Sequence, residues 1–159
     1  VSSPRRFRLL IVEDNPGDVR LAREALREVG WDADLQAVRD GVEALAYLRG
    51  SGGRDGAPRP DLVLLDLNLP RLDGRETLKA LKEDPDLMRI PVIVFSSSRA
   101  EHDVVASYGL HANCYVPKPA SFAEFERVFR SIQGFWAGVA QLPTGGAWSS
   151  TEAAPGRTP

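Results

Sequence analysis

Five short apolar runs, each followed by a stretch of helical periodicity, constrain this chain more than any other feature. The runs are Phe7 to Val12, Asp34 to Val38, Leu62 to Asp66, Pro91 to Phe95 and Asn113 to Val116. A run such as Leu62-Val63-Leu64-Leu65 shows no polar alternation, which is the pattern of a strand buried on both faces. The spacing predicts helices over Pro16 to Val29, Gly41 to Leu48, Arg75 to Glu83, Ala100 to Tyr108 and Ser121 to about Phe135. Strands alternating with helices imply a parallel sheet covered on both sides.

Right-handed crossovers restrict the connections. For five strands the common α/β solution is the flavodoxin-like, doubly wound order 2-1-3-4-5. Local signals agree. Asp14 or Asn15 can cap the first helix, Pro16 suits its first turn and Gly30 ends it. Its apolar face is Val19, Leu21, Ala22, Ala25, Leu26 and Val29, and the second helix is expected to turn Val42, Leu45, Ala46 and Leu48 inward. Ser121 and Glu124 form a capping box. Gly50 to Pro60 is dense in Gly and Pro and is expected to be a mobile loop.

The 159 residues suit one domain of ordinary size, placed at residues 6–143, with 144–159 expected as a disordered tail rich in Gly, Ser, Thr, Pro and Ala. The segment Phe135 to Pro143 is too apolar for a free tail and should pack on its own domain or on a partner. A net charge of -2 leaves no basic footprint for nucleic acid. A single cysteine, Cys114, excludes an internal disulfide and fits the cytoplasm, where it reads as a small buried residue. No stretch approaches the roughly 18 to 20 apolar residues of a membrane span, and Val1 to Arg6 lacks the apolar centre of an export signal. His102 and His111 have no partners at metal-ligand spacing.

The strand ends carry the chemistry. In order they present Glu13-Asp14, Asp66, Ser96 and Lys118, which the topology gathers at the carboxyl edge of the sheet. Three carboxylates packed together repel, so either their pKa values rise or a cation sits among them. Mg²⁺, hard and oxygen-loving, fits Glu13, Asp14 and Asp66 and keeps positions open for phosphate oxygens. The Ser96 hydroxyl and Lys118 ammonium suit further phosphate oxygens, and the set suits phosphoryl transfer to Asp66. Each residue alone has a plainer explanation: a helix cap for Asp14, a loop cap for Asp66, a loop serine, a surface lysine. Their occurrence at successive strand ends favours the chemistry.

The chain resembles the receiver domain of two-component response regulators from about Arg6 to Ile132. The matching segments are Ile11-Val12-Glu13-Asp14-Asn15, Asp66-Leu67-Asn68-Leu69-Pro70 with Asp73-Gly74, Pro91 to Ser97, and Tyr115-Val116-Pro117-Lys118-Pro119. The resemblance implies a phosphoacceptor switch rather than an enzyme, limited to self-directed phosphoryl transfer and autodephosphorylation. Asp66 would take a phosphoryl group from a sensor histidine kinase, with Mg²⁺ on Glu13, Asp14, Asp66 and the Asn68 backbone carbonyl. Ser96 would be the switch hydroxyl, Tyr115 the rotating aromatic and Lys118 the conserved-type lysine. Asn68 and Ser98 would tune phosphoryl lifetime, and Lys118–Pro119 would be the cis candidate. The loop before Asp61 and the Phe135-Trp136 to Leu142-Pro143 segment resemble regulators paired with phytochrome kinases. Such regulators tend to form homodimers, which makes Phe122, Phe125, Phe129, Phe135 and Trp136 interface candidates.

Two other classes compete. A pseudo-receiver would bind partners without phosphorylation, but its motifs would normally be damaged, and here they are intact. A flavodoxin would want a neutral, Gly-rich or hydroxyl-rich loop where Glu13-Asp14-Asn15 stands, and an aspartate phosphatase would want a second acid at position 68, which is Asn.

Overall fold

The computed structural model describes residues 5–51 and 56–143. It contains strands β1 (Phe7–Val12), β2 (Ala33–Val38), β3 (Leu62–Leu65), β4 (Val92–Ser96) and β5 (Cys114–Pro117). Between and after them run helices α1 (Pro16–Glu28), α2 (Gly41–Gly50), α3 (Gly74–Glu83), α4 (Glu101–Gly109) and α5 (Phe122–Ile132). All strand pairs are parallel, in the order β2-β1-β3-β4-β5. Strand alternation divides the core between the two faces of this sheet. Leu9, Ile11, Leu62, Leu64, Ile93 and Phe95 pack against α1 and α5, while Leu10, Val12, Val63, Leu65, Val92 and Val94 meet α2 and α3. The continuous apolar runs are thus explained by burial on both sides.

Helix ends follow their local chemistry. The Asn15 side chain caps α1 by accepting from the Gly17 N–H, and Asp40 caps α2 by accepting from the Glu43 N–H. Ser121 caps α5 by accepting from the Glu124 N–H, but the Glu124 carboxylate reaches the Ala120 N–H rather than that of Ser121. The capping box is therefore displaced by one residue. α5 passes directly into a π-helical turn, Gln133–Ala137, which carries Phe135 and Trp136.

Several expectations are corrected. Leu45 and Leu48 of α2 are buried as expected, but Val42 and Ala46 are exposed, and Gly41 and Ala44 are buried in their place. The buried set follows i, i+3, i+4, i+7 spacing, which leaves positions 42 and 46 on the neighbouring, solvent-facing stripe. The Lys118–Pro119 bond is trans, as there is no cis peptide among the described residues. Trans is favoured for X–Pro by about 0.5–1 kcal/mol unless packing demands otherwise. Cys114 is half-buried rather than enclosed, and burial pushes its thiol pKa up. The tail at 144–159 and part of the Gly/Pro loop, 52–55, lie outside the described residues.

Gly74 places α3. A Cβ there would come within 2.1 Å of the Asp66 carbonyl oxygen and 2.5 Å of the Leu67 Cα. Only glycine lets the first turn of α3 press against the backbone that leaves β3. The Gly74 N–H donates to the Leu67 carbonyl at 2.9 Å and closes the loop.

Candidate functional site

Backbone bonds at the sheet edge bring the acids together. The Glu13 N–H donates to the Val38 carbonyl at 3.0 Å, and the Asp66 N–H to the Val12 carbonyl at 3.1 Å. Both side chains are buried, Glu13 at 2% and Asp66 at 5% exposure, while Asp14 stands exposed. Carboxylate oxygens of Glu13, Asp14 and Asp66 lie within 4.8 Å of one another. The Asn15 N–H donates to Glu13 Oε1 at 3.1 Å, and the Asn68 N–H to Asp66 Oδ1 at 3.2 Å.

Lys118 arrives from the other side. Its N–H donates to the Ser96 carbonyl at 2.8 Å, which holds the end of β5 against β4. Its ammonium lies 3.0 Å from Asp66 Oδ2, 3.0 Å from Asp18 Oδ2, and pairs with Glu13. Burial alone would lower the Lys118 pKa. Hydrogen bonds to Glu13 and Asp18 and the charges of Asp66 and Glu13 outweigh that cost and hold it above the usual lysine value. Glu13 shifts the opposite way for a carboxylate: burial, aided by the charge of Asp66, raises it to about 7 against the pull of Lys118 and the Asn15 N–H.

Asp18 is a site residue that the sequence did not announce. An acid in the first turn of a helix is ordinary on electrostatic grounds. The available signal was geometric: helix side chains lean toward the N-terminus, so a residue three past the cap at Asn15 reaches back over the strand ends.

Ser96 is fully buried, and its Oγ accepts from the Ser98 N–H at 3.3 Å. The Tyr115 hydroxyl donates to the Ser98 carbonyl at 2.7 Å. Ser96, Ser98 and Tyr115 therefore form one connected group beside the acids. The aromatic candidates do not stay together. Phe125 and Phe129 are core residues standing edge-on to Phe95, at centroid distances of 5.8 and 6.4 Å, so they are withdrawn as interface residues. Phe122 and Trp136 are half-buried against the same core, and Phe135 is exposed.

The candidate donor set, Glu13, Asp14 and Asp66, is all oxygen and open to solvent at Asp14, while the Lys118 ammonium is ringed by Glu13, Asp18 and Asp66. Soft or nitrogen-preferring ions want other ligands, and a hard divalent cation fits. Residues 9–130 match the family model described as the response regulator receiver domain. The chain is a response regulator receiver domain. Response regulator Rcp1 of Synechocystis sp. is 45% identical over 135 residues, spanning 85% of this chain and 92% of that protein. The crystal structure of the phosphorylated cyanobacterial phytochrome response regulator RcpA superposes with a TM-score of 0.81 at 47% identity, covering 88% of this chain and all of that one. The Mn(2+)-bound form of Rcp1 gives a TM-score of 0.78 at 44% identity, covering 87% and 99%. Receiver domains are phosphoacceptor switches with a divalent-metal site, and this chain carries the acidic cluster of Glu13, Asp14 and Asp66. Among the described residues no helix is long and apolar enough to cross a membrane.

Proposed function

We propose that Asp66 accepts a phosphoryl group from the phosphohistidine of a sensor histidine kinase. The observation that carries this is the buried Asp66 carboxylate, paired with Lys118 at 3.0 Å inside the acidic cluster. An Asp66 oxygen attacks phosphorus, the P–N bond breaks, and the imidazole leaves with its electron pair. Lys118 holds a phosphoryl oxygen in place of part of its present pairing, and the Ser96 hydroxyl donates to another. Glu13, Asp14, Asp66 and the Asn68 carbonyl would hold Mg²⁺, which supplies neutralising charge to carboxylates and phosphoryl oxygens alike. Tyr115 follows Ser96 through their shared neighbour Ser98, and Asn68 and Ser98 tune autodephosphorylation.

The kinase is of phytochrome type in this reading, supported by the likeness to RcpA, a phytochrome response regulator. The functional unit is 6–143, working in the cytoplasm as a homodimer. Exposed Val105 and Tyr108 on α4, with Phe135 beyond α5, support an apolar contact surface there. The intact set of Glu13, Asp14, Asp66, Ser96 and Lys118 weighs against a phosphorylation-independent binding module.

The test is acetyl phosphate with Mg²⁺ on wild type and Asp66→Asn, read by intact mass. One phosphoryl group on wild type alone is expected. Equal labelling of Asp66→Asn, or none on wild type, would sink the proposal.

A further inference from the structure

We infer that Arg75 and Asp103 form a clasp that fixes the β4–α4 loop and thereby sets how readily Asp66 takes up a phosphoryl group. This rests on the reading of Asp66 as phosphoacceptor. Asp103 lies in the first turn of α4 and is buried at 7% exposure. A buried carboxylate persists only when paired and hydrogen-bonded. Here one oxygen pairs with the Arg75 guanidinium from α3, with His102 3.5 Å away, and the other accepts from the Ser98 hydroxyl at 2.5 Å.

Ser98 is held on every side. Its hydroxyl is on Asp103 and also accepts from the Ala100 N–H at 3.3 Å. Its carbonyl takes the Tyr115 hydroxyl, and its N–H donates to Ser96 Oγ. A Ser96 hydroxyl that turns toward a phosphoryl group on Asp66 must give up the Ser98 N–H. A Tyr115 ring that moves must give up the Ser98 carbonyl. Both changes break a bond to Ser98, and Asp103 opposes them by holding Ser98 where those bonds form.

Arg75 makes the clasp firm at its other end. It follows Gly74, whose closeness to the Asp66 carbonyl fixes the start of α3, and its N–H donates to the Asp73 side chain at 2.7 Å. Its guanidinium also lies 3.4 Å from Asp73. The chain of contacts runs from the Asp66 loop through Arg75 and Asp103 to the segment that carries Ser96. A ligand that stabilises the shifted loop must work against whatever holds the unshifted one. Arg75 and Asp103 touch none of the reacting atoms, so they are positioning residues.

The experiment measures beryllofluoride affinity by calorimetry in excess Mg²⁺ for wild type, Arg75→Ala, Ser98→Ala, the double variant and Arg75→Lys. Each alanine variant should bind about three- to tenfold more tightly, and the double no more tightly than the better single, because both cut one linkage. Arg75→Lys should fall between wild type and Arg75→Ala. Mg²⁺ affinity without beryllofluoride should not change in Arg75→Ala, which separates the clasp from general damage to the fold. Unchanged or weaker beryllofluoride binding in the single variants, or full additivity in the double, would overturn the clasp while leaving Asp66 as phosphoacceptor. A wild type that binds no beryllofluoride would overturn both.

Discussion

Asp18 and Asp66 share one cation: the Lys118 ammonium lies 3.0 Å from an Oδ2 of each. One acid comes from a helix and the other from the end of a strand, so the lysine ties α1 to the sheet edge at the point of reaction. Lys118 is itself mostly buried, with its side chain at 11% exposure, and its position depends on these partners.

Asp18→Asn should leave the fold intact and weaken the hold on Lys118. Labelling of Asp66 by acetyl phosphate should slow by about three- to tenfold, because Asn keeps an acceptor oxygen and only the extra strength of the charge-assisted bond, about 1 kcal/mol, is lost. Single-turnover labelling at saturating Mg²⁺ reads this directly. A rate equal to wild type would mean that Asp66 and Glu13 suffice to place the ammonium.

Glu13 gives the site a pH dependence. In the metal-free chain its pKa is raised to about 7, so it carries a proton below that value. Holding a cation there requires the carboxylate, so metal binding expels the proton. Mg²⁺ affinity should rise by about tenfold per pH unit below 7 and level off above it. The folding sign is the opposite: the raised pKa contributes stability at acid pH that the metal-free protein loses as pH climbs from 4.5 to about 7. Calorimetric Mg²⁺ titrations at pH 6, 7 and 8, with Glu13→Gln as control, check the first claim. A flat profile in wild type would refute it.

Gly74→Ala should damage both stability and labelling. The new methyl meets backbone, not a movable side chain, at the Asp66 carbonyl and Leu67 Cα. Overpacking of this kind costs about 1–3 kcal/mol. Because the displaced backbone carries Asp66, labelling should fall even at temperatures where the variant is fully folded. Thermal melting and labelling measured together distinguish this from simple destabilisation, which would leave the folded fraction fully reactive.

Phe135→Ser separates the surface from the core. Phe135 is 53% exposed, so its loss should change stability by no more than about 0.5 kcal/mol. Phe129→Ala, in the core, should cost about 3–5 kcal/mol. If the proposed homodimer forms through Phe135, light scattering should show a lower mass for Phe135→Ser at equal concentration. An unchanged mass would place the contact elsewhere.

The strand ends were legible because a polar residue that closes a continuous apolar run has one place to go, the rim of a buried parallel sheet. Glu13, Asp66, Ser96 and Lys118 all obey that logic. α2 was less legible: Val42 and Ala46 are apolar but lie on the wrong stripe, and only packing against α3 decides which stripe turns inward. Phe125 and Phe129 fall with Ile132 and Trp136 on one helical stripe against the core, whereas Phe135 lies off that stripe and is exposed. The bond between Ser98 and Asp103, and that between Asp103 and Arg75, join residues on separate elements, and no local pattern announces them. Asp18 was hidden by having an ordinary reason to be where it is.

The bond from the Gly74 N–H to the Leu67 carbonyl turns the segment after Asp66 into a ruler of fixed length. Adding or removing one residue there would rotate the start of α3 by about a quarter turn, since successive helical residues differ by roughly 100°. Arg75 would then point away from Asp103. Insertions and deletions in related chains should therefore spare 67–74 and collect ahead of β3, on the far side of the strand from this bond.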